Sequence, residues 1–316
     1  MAALHDLWQT VLRHTCRRRD VLRMVLNVAS CVMAGVAIPV ALYGLHLGVR
    51  CLFFDQFVVP TLSMYPTLLP GDRIIVDKTL MGARLYTDLH FSKEGQPLKA
   101  WRMRGTRGVR RNDIVVFNYP QHGWRISFVI NHVYAKRCVA LPGDSLAIVE
   151  GYYRNSNCAD GAVGYLPAQR MLASMPDGAI DSTAFHIYPF DAHLPYTLKN
   201  MPPLYVPRKG DVLTLDARHA AVYRMLLEWE TGCAIEPDWE HDCTLADGRP
   251  LRTHTFAHNY YFMAGDNVPD SNDSRYWSLV PEEYIVGIVT HISYSRDRAT
   301  GEWRQERFMR RVDGGL

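Results

Sequence analysis

Ser63 is the only serine in the segment Val58-Val-Pro-Thr-Leu-Ser-Met-Tyr-Pro-Thr-Leu-Leu-Pro-Gly-Asp72, between an extended run ending at Pro60 and a turn around Pro66. A serine hydroxyl is a weak nucleophile near neutral pH and needs a base beside it. None of the 13 histidines falls in a recognisable triad pattern, and there is no G-x-S-x-G elbow. Lysine is the other base available to such a serine. Its ordinary pKa of about 10.4 must first fall, which burial against apolar groups achieves. Lys136, in Asn131-His-Val-Tyr-Ala-Lys-Arg-Cys-Val-Ala-Leu-Pro-Gly-Asp144, has suitable neighbours in Val133, Tyr134, Ala135, Val139 and Leu141. Arg137 next to it would face the other side of a strand, so the two cations need not meet. Taken singly, these residues prove little: most loop serines are ordinary hydroxyls, and most strand lysines reach for water.

The elements that would hold these residues are short strands. Arg73–Asp77, Asp113–Phe117, Ser145–Val149, Asp211–Leu215 and Tyr284–Tyr294 read as extended runs. Pro-Gly-Asp at 70–72 and 142–144, Arg-Asn-Asp at 111–113 and Lys-Gly-Asp at 209–211 supply turns before the first four. The single clear helix is Ala217–Glu230, where Ala221, Met225, Leu226 and Trp229 share a face more often used for packing than for substrate. The 316 residues suffice for one sizeable domain, and a net charge of +3 is too weak to imply a nucleic-acid partner.

The N-terminus differs from the rest. His14, Arg17, Arg18, Arg19 and Arg23 precede residues 24–49, which contain no Lys, Arg, Asp or Glu. A hydrocarbon core takes about 20 mainly apolar helical residues, so this stretch is long enough to span. Pro39 inside it is tolerable in a membrane helix. The arginines place residues 1–23 in the cytoplasm and everything after Arg50 on the far side. A cleaved leader would have a shorter apolar core and a small-residue site after it, and a core helix would show polar positions at helical period.

Of the seven cysteines, Cys16, Cys31 and Cys51 lie in or beside this stretch. Cys138, Cys158, Cys233 and Cys243 fall in the exported part, where oxidation is possible. A Cys233–Cys243 bond would staple a short polar stretch, with reduced thiols as the alternative. No H-E-x-x-H and no paired cysteine motif points to zinc. The Asp/Asn-rich run 266–273 lacks the spaced ligands and closing Glu of a calcium loop. No metal and no cofactor is expected.

Three long boxes together resemble the type I signal peptidase family. Ser63-Met-Tyr-Pro-Thr-Leu-Leu-Pro-Gly-Asp72 is similar to its nucleophile box, S-M-x-P-T-L-x-x-G-D, and residues 134–144 to its lysine box. Gly265-Asp-Asn-Val-Pro-Asp-Ser-Asn-Asp-Ser-Arg-Tyr-Trp277, followed by Val280-Pro-Glu-Glu-Tyr-Ile-Val-Gly287, is similar to its last box. The resemblance runs from about Phe57 to Gly287 and is weakest between Gly151 and Pro207. It implies Ser63 as nucleophile and Lys136 as general base. It implies an oxyanion site from the Ser63 N–H and the Thr61 hydroxyl, where the family more often has serine. Ser271 would orient the Lys136 amine, and Asp273 with Arg275 would form a supporting ion pair. Phe57, Val59, Pro60, Tyr134 and Ala135 would line shallow pockets for small residues before the cut. Val268-Pro269 departs from the family's usual Arg-Asp, and Ser278 from its usual glycine.

The implied fold is mainly β: a transmembrane helix, then a signal-peptidase-like catalytic domain of coiled antiparallel sheets with an inserted cap lobe. The expected division is a basic cytoplasmic segment 1–23, an anchor 24–49, catalytic core 50–150, lobe 151–258 and catalytic core 259–316. The expected activity is removal of signal peptides from exported pre-proteins, by an enzyme that crosses the bacterial inner membrane once with its catalytic domain outside the cytoplasm. Pre-proteins with small residues before the cut, the lipid bilayer and the secretion translocon are the expected partners. A catalytically silent, membrane-tethered binding protein of the same fold is the competing reading. Retention of Ser63, Thr61, Lys136 and Ser271 together argues against it. A self-cleaving Ser–Lys repressor would carry a DNA-binding domain where this chain has its apolar stretch.

Overall fold

The computed structural model describes residues 2–158 and 163–312, with side chains from residue 23 onward. The chain divides into two compact units at Arg50. Helix α1 (Ala2–Leu52) supplies the first and continues through Pro39. From Arg23 to Leu52 it is long and apolar enough to cross a membrane, with a mean hydropathy of 2.1 and no buried residue in its most apolar window. The side chains of Cys16 and of the cluster Arg17–Arg19 lie outside the described residues.

In the second unit the main strands are β1 (Phe54–Val58), β2 (Asp72–Asp77), β3 (Ile114–Asn118), β4 (Val133–Ala140), β5 (Ser145–Val149), β6 (Tyr152–Asn155), β7 (Met201–Tyr205), β8 (Ile235–Asp238), β9 (Cys243–Ala246), β10 (Tyr260–Ala264), β11 (Val280–Pro281), β12 (Ile285–Ser295) and β13 (Arg310–Arg311), besides seven strands of two or three residues in small hairpins and pairs. Among them lie the helices α2 (Leu166–Ser174), α3 (Ala217–Thr231) and α4 (Ser274–Trp277). One antiparallel sheet runs β1-β2-β12-β3-β4-β10-β11, with β13 paired to β12. Register shifts interrupt β12 against both β2 and β3, and β10 against β4. Each extra residue bends its strand and increases the twist, so the sheet curls.

The turns that launch these strands share one device. Leu69, Arg110, Leu141 and Arg208 each donate a backbone N–H to the carboxylate of the aspartate three residues on, at 2.8, 2.7, 2.9 and 2.8 Å. Asp72, Asp113, Asp144 and Asp211 thus close their own turns, as short acidic side chains do. This is why the strands expected from Arg73, Asp113 and Ser145 begin within one residue of those positions, as does the short strand Val212–Thr214, expected from Asp211, which pairs with Thr253–Thr255. β4 and β12 are the longest strands among the described residues, and Val59, Met64, Leu68, Ile74, Val76, Val116 and Val289 pack into one buried cluster on the sheet.

Residues between β4 and β10 add no strand to the large sheet among the described residues; they form the smaller sheet β6-β5-β7, the hairpin β8–β9 and helices α2 and α3. A buried cluster joins Val139 and Phe262 of the large sheet to Leu172 of α2 and Leu226 of α3. Helix α3 is not the single clear helix. The nine-residue α2 was hidden by its brevity and by Pro167, which is suited to a helix start yet resembles a breaker in sequence. Of the two states the sequence left open for Cys233 and Cys243, the structure has the reduced one: both are free thiols. In the β8–β9 hairpin Cys243 pairs with Asp238, while Cys233 lies five residues before Asp238. At about 3.3 Å per strand residue the two stand at opposite ends, far beyond disulfide reach.

Candidate active site

The sheet curls around a groove of about 300 Å³ lined by Phe57, Val59, Pro60, Thr61, Ser63, Tyr134, Ala135 and Lys136, with Leu62, Asp270 and Asn272 at its wall. Its floor is the apolar cluster beneath β2 and β3, which contributes Ile74 and Val116. Pairing of β4 with β3 sets Ala135 opposite Val116 and Lys136 opposite Val115. The segment after β1 is pinned before it turns, because Val59 N–H donates to Asp72 O and Gly71 N–H to Val59 O, both at 2.9 Å. A turn follows in which Tyr65 N–H donates to Leu62 O and Leu68 N–H to Met64 O. Ser63 is half-buried in this turn, and its Oγ lies 3.3 Å from Thr61 Oγ1.

Lys136 is only 3% exposed and donates from Nζ to Ser271 Oγ at 3.0 Å. Burial lowers its pKa to about 8; Asp273 pulls it back up, Arg275 pushes it down, and Asp266 and Asp270 add smaller upward pulls. Its ammonium also lies 5.9 Å from the centre of the Tyr134 ring. Asp273 and Arg275 are fully buried and make a forked pair, Nε to Oδ1 at 2.8 Å and Nη2 to Oδ2 at 2.7 Å. Burial raises the Asp273 pKa, but Arg275 more than offsets this and the carboxyl ends below its ordinary value. Asp273 also accepts from Gly265 N–H at 2.9 Å, and Arg275 donates to Val268 O at 2.8 Å. The loop that presents Ser271 is therefore fixed by charge rather than by a regular element.

Several positioning residues escape a reading of the sequence. Arg137 does face away from Lys136, and it is buried in a forked pair with Asp266, both contacts at 2.6 Å. Thr67 Oγ1 donates to the same carboxylate at 2.5 Å. One carboxylate thus ties the serine turn, the lysine strand and the last box. Arg307 does the same for Asp72, at 2.9 and 2.5 Å, from the far end of the chain. The only signal of this in sequence is that each of the three boxes contains a Gly-Asp. Gly265 is required by close approach: a Cβ there would meet Ser271 Oγ at 2.1 Å and Ser63 O at 2.4 Å. Asn267 N–H donates to that same Ser63 O at 3.1 Å. Among the described residues no cluster of His, Cys, Asp and Glu could hold a metal ion.

The pattern of the signal peptidase, peptidase S26, family matches residues 30–167 and 202–294, which is most of the chain and includes every residue that lines the groove. The chain belongs to the signal peptidase family. Signal peptidase I of Buchnera aphidicola (from Schizaphis graminum) is 24% identical over 298 residues, covering 89% of this chain and 81% of that protein. Signal peptidase I of Pseudomonas aeruginosa is 29% identical over 252 residues, covering 76% of this chain and 65% of that protein. A solved signal peptidase I from Enterococcus faecalis shares 18% identity and a TM-score of 0.26 over 58% of this chain and 98% of that one. Within the second unit the unmatched residues 168–201 run from inside α2, most of which they include, to the first residue of β7.

Proposed function

We propose that this chain is a membrane-anchored endopeptidase that removes signal peptides from exported pre-proteins, with Ser63 as nucleophile and Lys136 as its base. The observation that carries the reading is the buried Lys136 amine, hydrogen-bonded to Ser271 and lining the same groove as Ser63. Few structural lysines are desolvated without a carboxylate in hydrogen-bond contact, and such a lysine is easily deprotonated.

In this mechanism neutral Lys136 takes the proton from Ser63 Oγ as that oxygen attacks the scissile carbonyl carbon. The negative charge that forms on the carbonyl oxygen is met by the Ser63 N–H and by the Thr61 hydroxyl, which lies 3.3 Å from Ser63 Oγ and turns from it to the new oxyanion. Protonated Lys136 then gives its proton to the departing amine, which leaves an ester on Ser63. Water, deprotonated by Lys136, cleaves the ester and restores both residues. Ser271 holds Nζ in place throughout, and the Asp273–Arg275 pair holds the Ser271 loop. Phe57, Val59, Pro60, Tyr134 and Ala135 form shallow walls that suit small side chains before the cut. The apolar stretch of α1 anchors the enzyme in the bacterial inner membrane, crossing once, with the arginine cluster inside and the groove outside the cytoplasm. The catalytic core 50–150 and 259–316 carries the chemistry, the lobe 151–258 is an insert within it, and the substrates are pre-proteins of the export pathway.

The test is cleavage of a pre-protein with an A-x-A site by the detergent-solubilised full chain, beside its Ser63→Ala and Lys136→Ala variants. Cutting after the small residue by the unaltered chain alone supports the dyad. Three folded but inactive proteins would replace it with the silent, tethered binding protein.

A further inference from the structure

The groove holds two charged side chains, Lys136 and Asp270. They differ in kind. Lys136 is buried, fixed by Ser271, and must be neutral for the chemistry proposed above. Asp270 is exposed, and among the described residues its carboxylate makes no hydrogen bond or ion pair. The other acidic residues of its loop are spent internally: Asp266 on Arg137 and Thr67, and Asp273 on Arg275 and Gly265. The Asp270 backbone N–H donates to Asn267 O at 3.0 Å, and Asn267 is itself held on Ser63 O. A loop held by these bonds therefore presents one uncommitted carboxylate at the wall of a cleft whose only other charged side chain is Lys136, one residue before the group that orients that lysine.

We propose that Asp270 is a specificity residue, which makes this groove favour substrates carrying a basic side chain within a few residues of the cut and disfavour acidic ones. The inference rests on the peptidase reading and adds a substrate class to it. The working groove, with Lys136 neutral, has a net charge of −1, all of it on Asp270. Apolar walls of Phe57, Val59 and Tyr134 weaken screening on one side, while solvent limits the gain on the other. An exposed ion pair of this kind changes a rate ratio by up to about fivefold. Small residues remain favoured where the shallow pockets receive them, so the basic side chain belongs at a position whose side chain points to the 270–272 wall.

The experiment uses the detergent-solubilised full chain and peptides with one A-x-A site, differing only by Lys, Gln or Glu. The variable residue is placed in turn at the fourth and second positions before the cut and at the first and second after it, so that both alanines of the site are kept. At one position or more, kcat/KM is expected to be up to about fivefold higher for Lys than for Glu, with Gln between, and the ratio falls toward one as salt rises. Asp270→Asn is expected to remove the ratio, and Asp270→Glu to keep it. A second readout separates charge from shape. Lys136 is faced by Asp273, Arg275, Asp266 and Asp270, so loss of the last negative charge lowers the pH at which the rate is half-maximal. Equal ratios at every position in the unaltered chain, or a salt-insensitive ratio that survives in Asp270→Asn, overturn the proposal and leave the peptidase reading intact. Cleavage of none of the peptides by the unaltered chain overturns both.

Discussion

At the scale of single residues, the proposed chemistry turns on whether Lys136 can be neutral. Its ammonium is desolvated among Tyr134, Ala135 and the floor of the groove, and burial outweighs the pull of three nearby carboxylates. With a pKa of about 8 the amine is mostly protonated at neutral pH, so kcat/KM should rise about tenfold per pH unit below that value and level off above it. A rate flat from pH 6 to pH 9 in a stopped assay would remove Lys136 as the base. Lys136→Arg should be inactive at every pH, because a guanidinium does not give up its proton. Thr61→Val should lose about 100- to 1000-fold in kcat with little change in KM, and Thr61→Ser should restore most of it.

At the scale of elements, the site depends on the loop between β10 and α4, which has no ladder of its own. Its shape comes from Asp273–Arg275, from Arg137–Asp266 and from the absence of a side chain at Gly265. Gly265→Ala should abolish cleavage while the protein stays folded by circular dichroism, since the new methyl must displace either Ser271 or the Ser63 backbone. Arg137→Met leaves the Asp266 carboxylate buried with Thr67 but without its charged partner and should cost about 3–5 kcal/mol in urea unfolding. The departure at Ser278 also has a physical reading. This residue ends α4 with φ 73° and ψ −156°, a region that is nearly reserved for glycine. Ser278→Gly should therefore stabilise the fold by about 1–3 kcal/mol in the same measurement, and no gain would mean that the serine relaxes elsewhere.

At the scale of the whole molecule, two units are joined at Arg50 and each has its own source of stability. The second holds three buried apolar clusters and one eight-stranded sheet made of its own residues. A chain beginning at Cys51 is expected to fold and to cut soluble peptides, but to lose sedimentation with lipid vesicles. Persistent sedimentation would show that the second unit binds lipid by itself.

The sequence alone determined what depends on residues a few positions apart. The strand starts followed from aspartates that cap their own turns, helix α3 from its spacing of apolar residues, and the apolar stretch from its length and lack of charge. Ser63 and Lys136 were legible as residue types in suitable surroundings, and their membership of one family was legible in three boxes. Tertiary structure alone decided the rest, because sheet register and loop closure join positions that no local rule connects. Ser271 meets Lys136 across 135 residues, and Arg307 meets Asp72 across 235. The same register parted Cys233 from Cys243, only ten residues apart in sequence, by placing them at opposite ends of a hairpin. Whether a lysine is buried enough to lose its proton is likewise a property of the packed groove, since desolvation is the sum over every neighbour the fold brings near.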